Sequence, residues 1–177
     1  MRWALLLRGV NVGKGNALPM ADLRAMLEAL GCTEVRTYIQ SGNAVFESRR
    51  GAGALTKGIE AALEAKMGRA IDTTLRTGDE LRAVVSANPF PEIEDPTRLV
   101  VTFLSEPPSD AEVAPLVDAD WGEERVRVVG REIYCALPNG QARSPLATAL
   151  GKLKLRGTTT SRNWRTVTVL AEMLAEA

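Results

Sequence analysis

Two polar stretches of the chain have residues that could bind an anion. The first, Arg8–Asn16, follows an apolar run, precedes Pro19 and contains three glycines. Glycine permits backbone conformations that other residues resist, and a loop ahead of a helix can direct several backbone N–H groups at an anion. Arg8 and Lys14 add positive charge, and Asn11 adds a side-chain donor. The alternative is a loop that needs its glycines only for turns.

The spacing of this loop excludes the common nucleotide-binding motifs. Gly9–Lys14 is one residue shorter than G-x-x-x-x-G-K-[ST], and Gly15 stands where Ser or Thr would hold Mg²⁺. The loop also fails the G-x-G-x-x-G pattern of dinucleotide-binding folds. An ATPase site is therefore excluded, and a weaker anion-binding loop remains.

The second stretch is Gly157–Thr166, which contains four threonines, a serine and two arginines and leads into a final apolar helix pattern. Thr160 or Ser161 is expected to cap that helix. Cations in a first helical turn oppose the helix dipole, at a cost of a few tenths to about 1 kcal/mol each. A bound anion would relieve that cost. The side chains expected to project from this turn are Arg162, Asn163 and Arg165.

The charges of the chain are segregated although the net charge is zero, with 22 basic and 22 acidic residues. Between positions 79 and 124 there are twelve acids and two bases, and between 133 and 171 there are six bases and no acid. A neutral total argues against a protein that coats nucleic acid, whereas the local excess can attract an anion. Alternatively, Arg162 and Arg165 pair with acids of the 79–124 segment.

The absence of histidine removes several kinds of chemistry. Ser-His-Asp and Cys-His catalysis and histidine metal sites are excluded. Cys32 and Cys135 are too distant in sequence to form a zinc site alone and are expected to be buried thiols. We predict no metal and no cofactor. No residue indicates a nucleophile, so whether the chain is an enzyme stays open, with a carboxylate or Tyr38 as the only candidate base.

Hydrophobic periodicity predicts the elements that position the first loop. Strands, helices and a hairpin about Ser41–Gly42 follow one another in the order β-α-β-β-α-β, and a Thr77-x-x-Glu80 capping box opens a further helix. This order is typical of the ferredoxin-like split βαβ arrangement, in which helices cover one face of a four-stranded antiparallel sheet. We therefore predict an α+β domain over residues 1–87.

The remaining chain is predicted to repeat this plan. Residues 88–97 contain three prolines and three acids and are expected to form a linker. Residues 98–177 follow the order β-α-β-β-α, then a threonine-rich loop and a last helix from about Arg162. The chain is thus expected to contain a second, smaller α+β domain.

The hairpin carries a third candidate surface. Arg36, Tyr38 and Gln40 alternate onto one face of its first strand, and an aromatic residue on an open antiparallel sheet occurs in RNA-recognition domains. The second strand supplies one aromatic residue only, so packing against the second domain is the favoured use of this face.

Five blocks of the sequence carry a family resemblance: Arg8–Gly13, Met20–Ala25, Arg36–Asn43, Asn88–Phe90 and Thr159–Thr166. In order and over essentially the whole chain, they resemble the bacterial domain-of-unknown-function family 1697. The loop of that family more often has glycine at the position of Lys14. The resemblance implies a small soluble α+β protein of two ferredoxin-like halves, and it implies no activity, substrate or catalytic residue.

Together these patterns predict a protein that binds a phosphorylated small molecule or nucleotide where the two basic stretches meet. Arginines would hold the anion and asparagines would orient it. A nucleic-acid-binding protein, which would add Tyr38 and Trp164, is the weaker alternative, and a structural or interaction protein is a third. No apolar run approaches the about 20 residues of a membrane span, so we expect a cytoplasmic protein without a membrane partner. The expected ligand-binding residues are Arg8, Asn11, Lys14, Tyr38, Asn43, Arg162, Asn163 and Arg165.

Overall fold

The computed structural model describes residues 1–176 and shows eight strands and six helices within them. In chain order they are β1 (Arg2–Leu7), α1 (Met20–Ala29), β2 (Thr33–Tyr38), β3 (Asn43–Glu47), α2 (Ala52–Met67), β4 (Thr73–Thr77), α3 (Gly78–Ser86), β5 (Leu99–Leu104), α4 (Asp110–Val117), β6 (Arg125–Val129), β7 (Glu132–Ala136), α5 (Pro145–Lys152), β8 (Thr159–Asn163) and α6 (Trp164–Ala175).

The chain forms two compact units. The first unit contains Met1–Ala83 and the chain from Val169 onward, and the second contains Val84–Thr168. The divisions fall inside α3 and α6. The sequence predicted a single division, at a linker over residues 88–97. That segment belongs to the second unit, where its Phe90 is buried under the guanidinium of Arg125, 4.6 Å from the ring centroid.

The sheet of the first unit has the order β2-β3-β1-β4, with antiparallel neighbours throughout. This is the order that a split βαβ plan requires, because each helix connection steps over one strand. Trp3, Leu5 and Leu7 alternate onto the face of β1 that packs against α1 and α2. Their core partners include Leu23, Leu27, Leu55, Ile59 and Leu63.

The sheet of the second unit has the order β6-β7-β5-β8, again antiparallel, so the repeated plan of the α+β fold is confirmed. The repeat is more complete than the sequence indicated. Thr159–Asn163, predicted as the end of a loop and the start of the last helix, is the strand β8, which pairs with β5 from Val100 to Leu104. Its polar sequence lacks the apolar alternation that marks a strand. Its extended conformation results from pairing with β5 and is favoured by its β-branched threonines.

Side-chain caps fix where several helices begin. The predicted capping box is present at Thr77 and Glu80, with N···O distances of 2.8 and 3.1 Å. The prediction for α6 is wrong in position: the helix begins at Trp164, and Asn163 caps it by accepting the N–H of Thr166 at 3.0 Å. Neither Thr160 nor Ser161 has this role, because both lie within β8.

Both cysteines are free and buried, as predicted. Burial raises the pKa of the Cys135 thiol to about 12 and also raises the pKa of Cys32. A thiol with a raised pKa has little thiolate at neutral pH and is a poor nucleophile.

The start of α4 is tied to the chain before β8 by one carboxylate. Glu112 accepts the N–H of Ser109, completing a capping box, and the N–H of Arg156 at 3.0 Å. The Arg156 guanidinium adds a further bond at 3.3 Å. These donors, with the Ser109 N–H first, lower the pKa of Glu112 to about 2.

This lowered pKa makes the stability of the protein depend on pH. The folded state favours ionised Glu112, so its contribution is present above the ordinary pKa of 4.5 and is lost as pH falls towards about 2. We expect Glu112→Gln, which cannot titrate, to lose less stability than the wild type over that interval. Urea unfolding at several pH values measures this. Equal losses in the two proteins would contradict the role given to Glu112.

Candidate functional site

The loop from Gly9 to Gly15, between β1 and α1, has an unusual backbone conformation. Gly9, Asn11, Gly13 and Gly15 have positive φ angles of 72°, 56°, 69° and 81°, and the residue between each successive pair does not. Alternation between right-handed and left-handed residues is the conformation of a backbone nest, in which successive N–H groups can surround an anion, and the segment Gly9–Gly15 is called the nest below. The glycines allow this alternation because they lack a Cβ.

Most amides of this nest are open. Asn11 donates its N–H to the carbonyl of Asn16 at 2.7 Å. The N–H groups of residues 12–15 donate to no acceptor within residues 1–176, and all four residues are exposed. The loop therefore presents consecutive backbone donors to solvent.

Asn11 holds the nest in place with its side chain. Its Nδ2 donates to the carbonyls of Leu18, at 2.9 Å, and Gln40, and its Oδ1 accepts the Leu18 N–H at 2.7 Å. Asparagine tolerates the left-handed conformation better than most residues. The sequence predicted Asn11 as a ligand residue, but the structure places its amide on the protein backbone.

The turn between β2 and β3 packs directly against this loop. The carbonyl of Gln40 accepts from Asn11 Nδ2, and the carbonyl of Gly42 accepts the N–H of Leu7, the last residue of β1, at 2.9 Å. Asn43 is fully buried and donates to the carbonyl of Tyr38 at 3.1 Å and to Ser41 Oγ at 2.8 Å. Asn43 therefore shapes its own turn, although it was predicted to orient a ligand.

Two apolar side chains remain exposed at this end of the first unit. Ile39, in the turn, is 52% exposed and has a φ of 49°. A β-branched residue in the left-handed region is an outlier, with a cost of order 1–3 kcal/mol. Val12, in the nest, is 56% exposed. Such strain often occurs where a surface is shaped for binding.

Three cations belong to the same end of the unit. Arg8 is exposed, with its Nη1 4.0 Å from Asp72 Oδ2. Lys14 is exposed and has no ion pair within the described residues. Arg69, which the sequence interpretation missed, donates through Nη2 to the carbonyl of Gly9 at 2.8 Å, and its buried Nε has no partner within residues 1–176. The sequence feature that could have drawn attention to Arg69 is Gly68, the residue directly before it, which ends α2 in the left-handed conformation.

Tyr38 ends β2 and is half-buried. It adjoins the turn through its carbonyl, which accepts from Asn43. Its hydroxyl makes no hydrogen bond within the part of the chain that the structure describes. Tyr38 is thus available to a ligand at this surface.

The second predicted stretch has a different local structure from the one expected. Arg162 lies in β8, opposite Val101, and donates to Thr160 Oγ1 at 3.0 Å and to the carbonyl of Ser161 at 2.9 Å. Burial lowers its pKa to about 10. Only Arg165 stands in the first turn of α6, so the expected clash of several cations with the helix dipole is reduced to one.

The two stretches belong to different compact units. The expectation that Arg162, Asn163 and Arg165 share a ligand with the first loop stays a prediction. Trp164, which the nucleic-acid alternative used, is half-buried and packs on Tyr134, with ring centroids 6.5 Å apart.

The second unit offers an internal comparison for the nest. Strand order makes β5 and α4 the counterparts of β1 and α1. At the start of α4, the side-chain oxygens of Ser109 and Glu112 accept hydrogen bonds from the backbone N–H groups of Glu112, Ser109 and Arg156. Before α1, the Ncap position is Pro19 and no side chain caps the helix. The helix that follows the first strand of each unit is thus capped by side chains in the second unit and uncapped in the first.

Comparison with known proteins now identifies the family. A family model described as "Protein of unknown function (DUF1697)" matches residues 1–134. The chain belongs to the DUF1697 family. The family resemblance is thereby confirmed, and four of the five sequence blocks lie within the match, whereas Thr159–Thr166 lies beyond it.

A solved structure supports the same relationship. The conserved bacterial protein SP0830 from Streptococcus pneumoniae is 26% identical to this DUF1697 chain, with a TM-score of 0.82 over 98% of each chain. A comparison with curated proteins found no match. The family and the neighbour therefore establish the α+β fold and leave the activity to be inferred from the site.

The helices of residues 1–176 were also compared with the requirements of a membrane span. None of them combines the length and the apolar character that crossing a bilayer needs.

The contact between the turn and the nest predicts a sensitive glycine. A Cβ on Gly42 would lie 2.6 Å from Val10 Cγ2 and 2.8 Å from Leu7 Cβ, at a φ of 83°. We expect Gly42→Ala to lower the free energy of unfolding by about 1–3 kcal/mol, as overpacking does. Gly53→Ala is the matched control, since its Cβ would meet nothing within 4 Å and α2 would gain helix propensity. Equal unfolding midpoints for Gly42→Ala and the wild type would show that Gly42 is not tightly packed against Leu7 and Val10.

Proposed function

We propose that the nest of the first unit binds the phosphoryl group of a phosphorylated small molecule or nucleotide. The observation that carries this proposal is the alternation of φ from Gly9 to Gly15 together with the open N–H groups of residues 12–15. Consecutive backbone N–H groups without acceptors suit an oxyanion, whose oxygens each accept more than one hydrogen bond.

The surrounding charges favour the same ligand. Arg8, Lys14 and Arg69 bring three positive charges to this end of the unit, and Asp72 offsets one of them. A phosphoryl group bound by amides and a cation forms charge-assisted hydrogen bonds, which are stronger than neutral ones. Because Lys14 is the exposed cation without an ion pair, it is the residue that we expect to contact the anion directly.

The remainder of the ligand would lie over the exposed apolar groups of the same surface. Val12 and Ile39 offer aliphatic contact, and Tyr38 offers an aromatic ring and a hydroxyl without a partner. A sugar, a base or a short carbon skeleton could rest on these side chains. Strain at Ile39 would then be a cost of holding an apolar side chain at the ligand rather than in the core.

The proposed activity is binding, because the nest consists of donors that hold an anion and does not require a bond to be made or broken. Backbone amides supply the geometry and the cations supply the charge. This division of roles also explains how a family that more often has glycine at the position of Lys14 could keep the site.

Inorganic pyrophosphate is the simplest probe of this proposal. Gly13→Ala places a Cβ at a φ of 69°, which favours a different loop conformation by roughly 1–2 kcal/mol, and we expect about a tenfold loss of affinity. Lys14→Gln removes one exposed charge and should weaken binding by roughly 1.5- to 5-fold. Isothermal titration calorimetry at low ionic strength measures both effects.

Matched controls separate the nest from general effects. Gly53→Ala makes the same chemical change on α2, and Arg49→Gln removes an exposed cation elsewhere in the first unit. Neither control should alter pyrophosphate affinity. No binding of pyrophosphate to the wild type at millimolar concentration, or equal affinity in wild type and Gly13→Ala, would overturn the proposal.

A further inference from the structure

A separate cavity of about 450 Å³ lies in the first unit beside the end of α6. Its volume is within the range of about 300–1,000 Å³ that is usual for small-molecule sites. Val45 and Leu174, both buried, contribute apolar surface to it. Charged side chains from β1, β2, β3 and the end of α6 complete the lining.

The two guanidinium groups of the cavity are already engaged. Arg2 donates through Nη1 to the carbonyl of Leu174 at 2.8 Å and through Nε to Glu47 Oε1 at 3.3 Å. Arg36 donates to the carbonyl of Met173 and to Glu176 Oε2, the latter at 3.2 Å. Each arginine therefore satisfies a carbonyl at the C-terminal end of α6 and one carboxylate.

The third carboxylate of the lining is unpaired. Glu34 makes no hydrogen bond or ion pair through its side chain within residues 1–176. It has a φ of 52° and lies where the register of β2 against β3 shifts, between Thr33 and Arg36. Such a bulge redirects a side chain from the ordinary alternation of a strand. Glu34 is exposed, and it gives the cavity a carboxylate that forms no ion pair within residues 1–176.

The charge of the cavity is consequently negative. Three carboxylates and two guanidinium groups line the cavity, which leaves one negative charge in excess. An occupant with complementary charge carries an ammonium group, and the buried apolar surface suits a hydrocarbon chain.

We propose that this α6 cavity binds an aliphatic amine, with the ammonium group at Glu34 and the hydrocarbon chain on Val45 and Leu174. An ammonium ion has three donors and no acceptor, which suits a carboxylate without a partner. The cavity shares none of its lining residues with the nest, so amine binding can be tested independently of phosphate binding.

The probe is 1,6-diaminohexane, and 1,6-hexanediol is its uncharged control of similar length. Titration calorimetry at low ionic strength should show one binding site for the diamine and none for the diol. Glu34→Gln should weaken diamine binding by roughly 1.5- to 5-fold, the range for one exposed ion pair. Glu28→Gln, which removes an exposed charge from α1, is the matched variant and should have no effect.

Nuclear magnetic resonance locates the bound amine. Amide shifts on adding the diamine should be concentrated in residues 34–36, 45–47 and 173–176. Absence of binding at low ionic strength, equal binding of the diol, equal weakening by Glu34→Gln and Glu28→Gln, or shifts spread over the other acidic surfaces would overturn the proposal. A protein that binds pyrophosphate but not the diamine would retain the nest and lose the α6 cavity site.

Discussion

One side-chain amide determines the local geometry on which the candidate site depends. Asn11 occupies three backbone groups, two on Leu18 and one on Gln40, and so joins the loop after β1 to the turn before β3 across 29 residues of sequence. Buried or half-buried backbone groups require partners. Because Asn11 supplies them while itself adopting positive φ, it sets the alternation of the glycine loop and leaves the following N–H groups open.

Asparagines were the residues whose roles changed most between sequence and structure. Asn11, Asn43 and Asn163 were all expected to orient a ligand, and in the structure each bonds backbone groups, in a loop, a turn and a helix start respectively. Short polar side chains compete well for nearby backbone donors and acceptors. The main-chain N–H groups of residues 12–15 are left without such partners within residues 1–176.

The two units have the same strand order but differ at the loop between the first strand and the first helix. Both have the strand order of a split βαβ arrangement. In the second unit Glu112 fills the donors at the start of α4 and of the segment near Arg156. In the first unit a longer glycine loop precedes an uncapped α1. The two units therefore differ in which backbone N–H groups have acceptors, and they do not differ in topology.

The sequence by itself determined the elements whose signals are local. Apolar periodicity predicted the first unit's strands and helices, the capping box at Thr77 was present as predicted, and the five blocks indicated the DUF1697 family. It could not determine β8, since its threonines become a strand by pairing with β5, about 60 residues earlier in the chain. Nor could it determine the alternation of φ or the unpaired Glu34. These depend on contacts between segments distant in sequence, which only the tertiary structure creates.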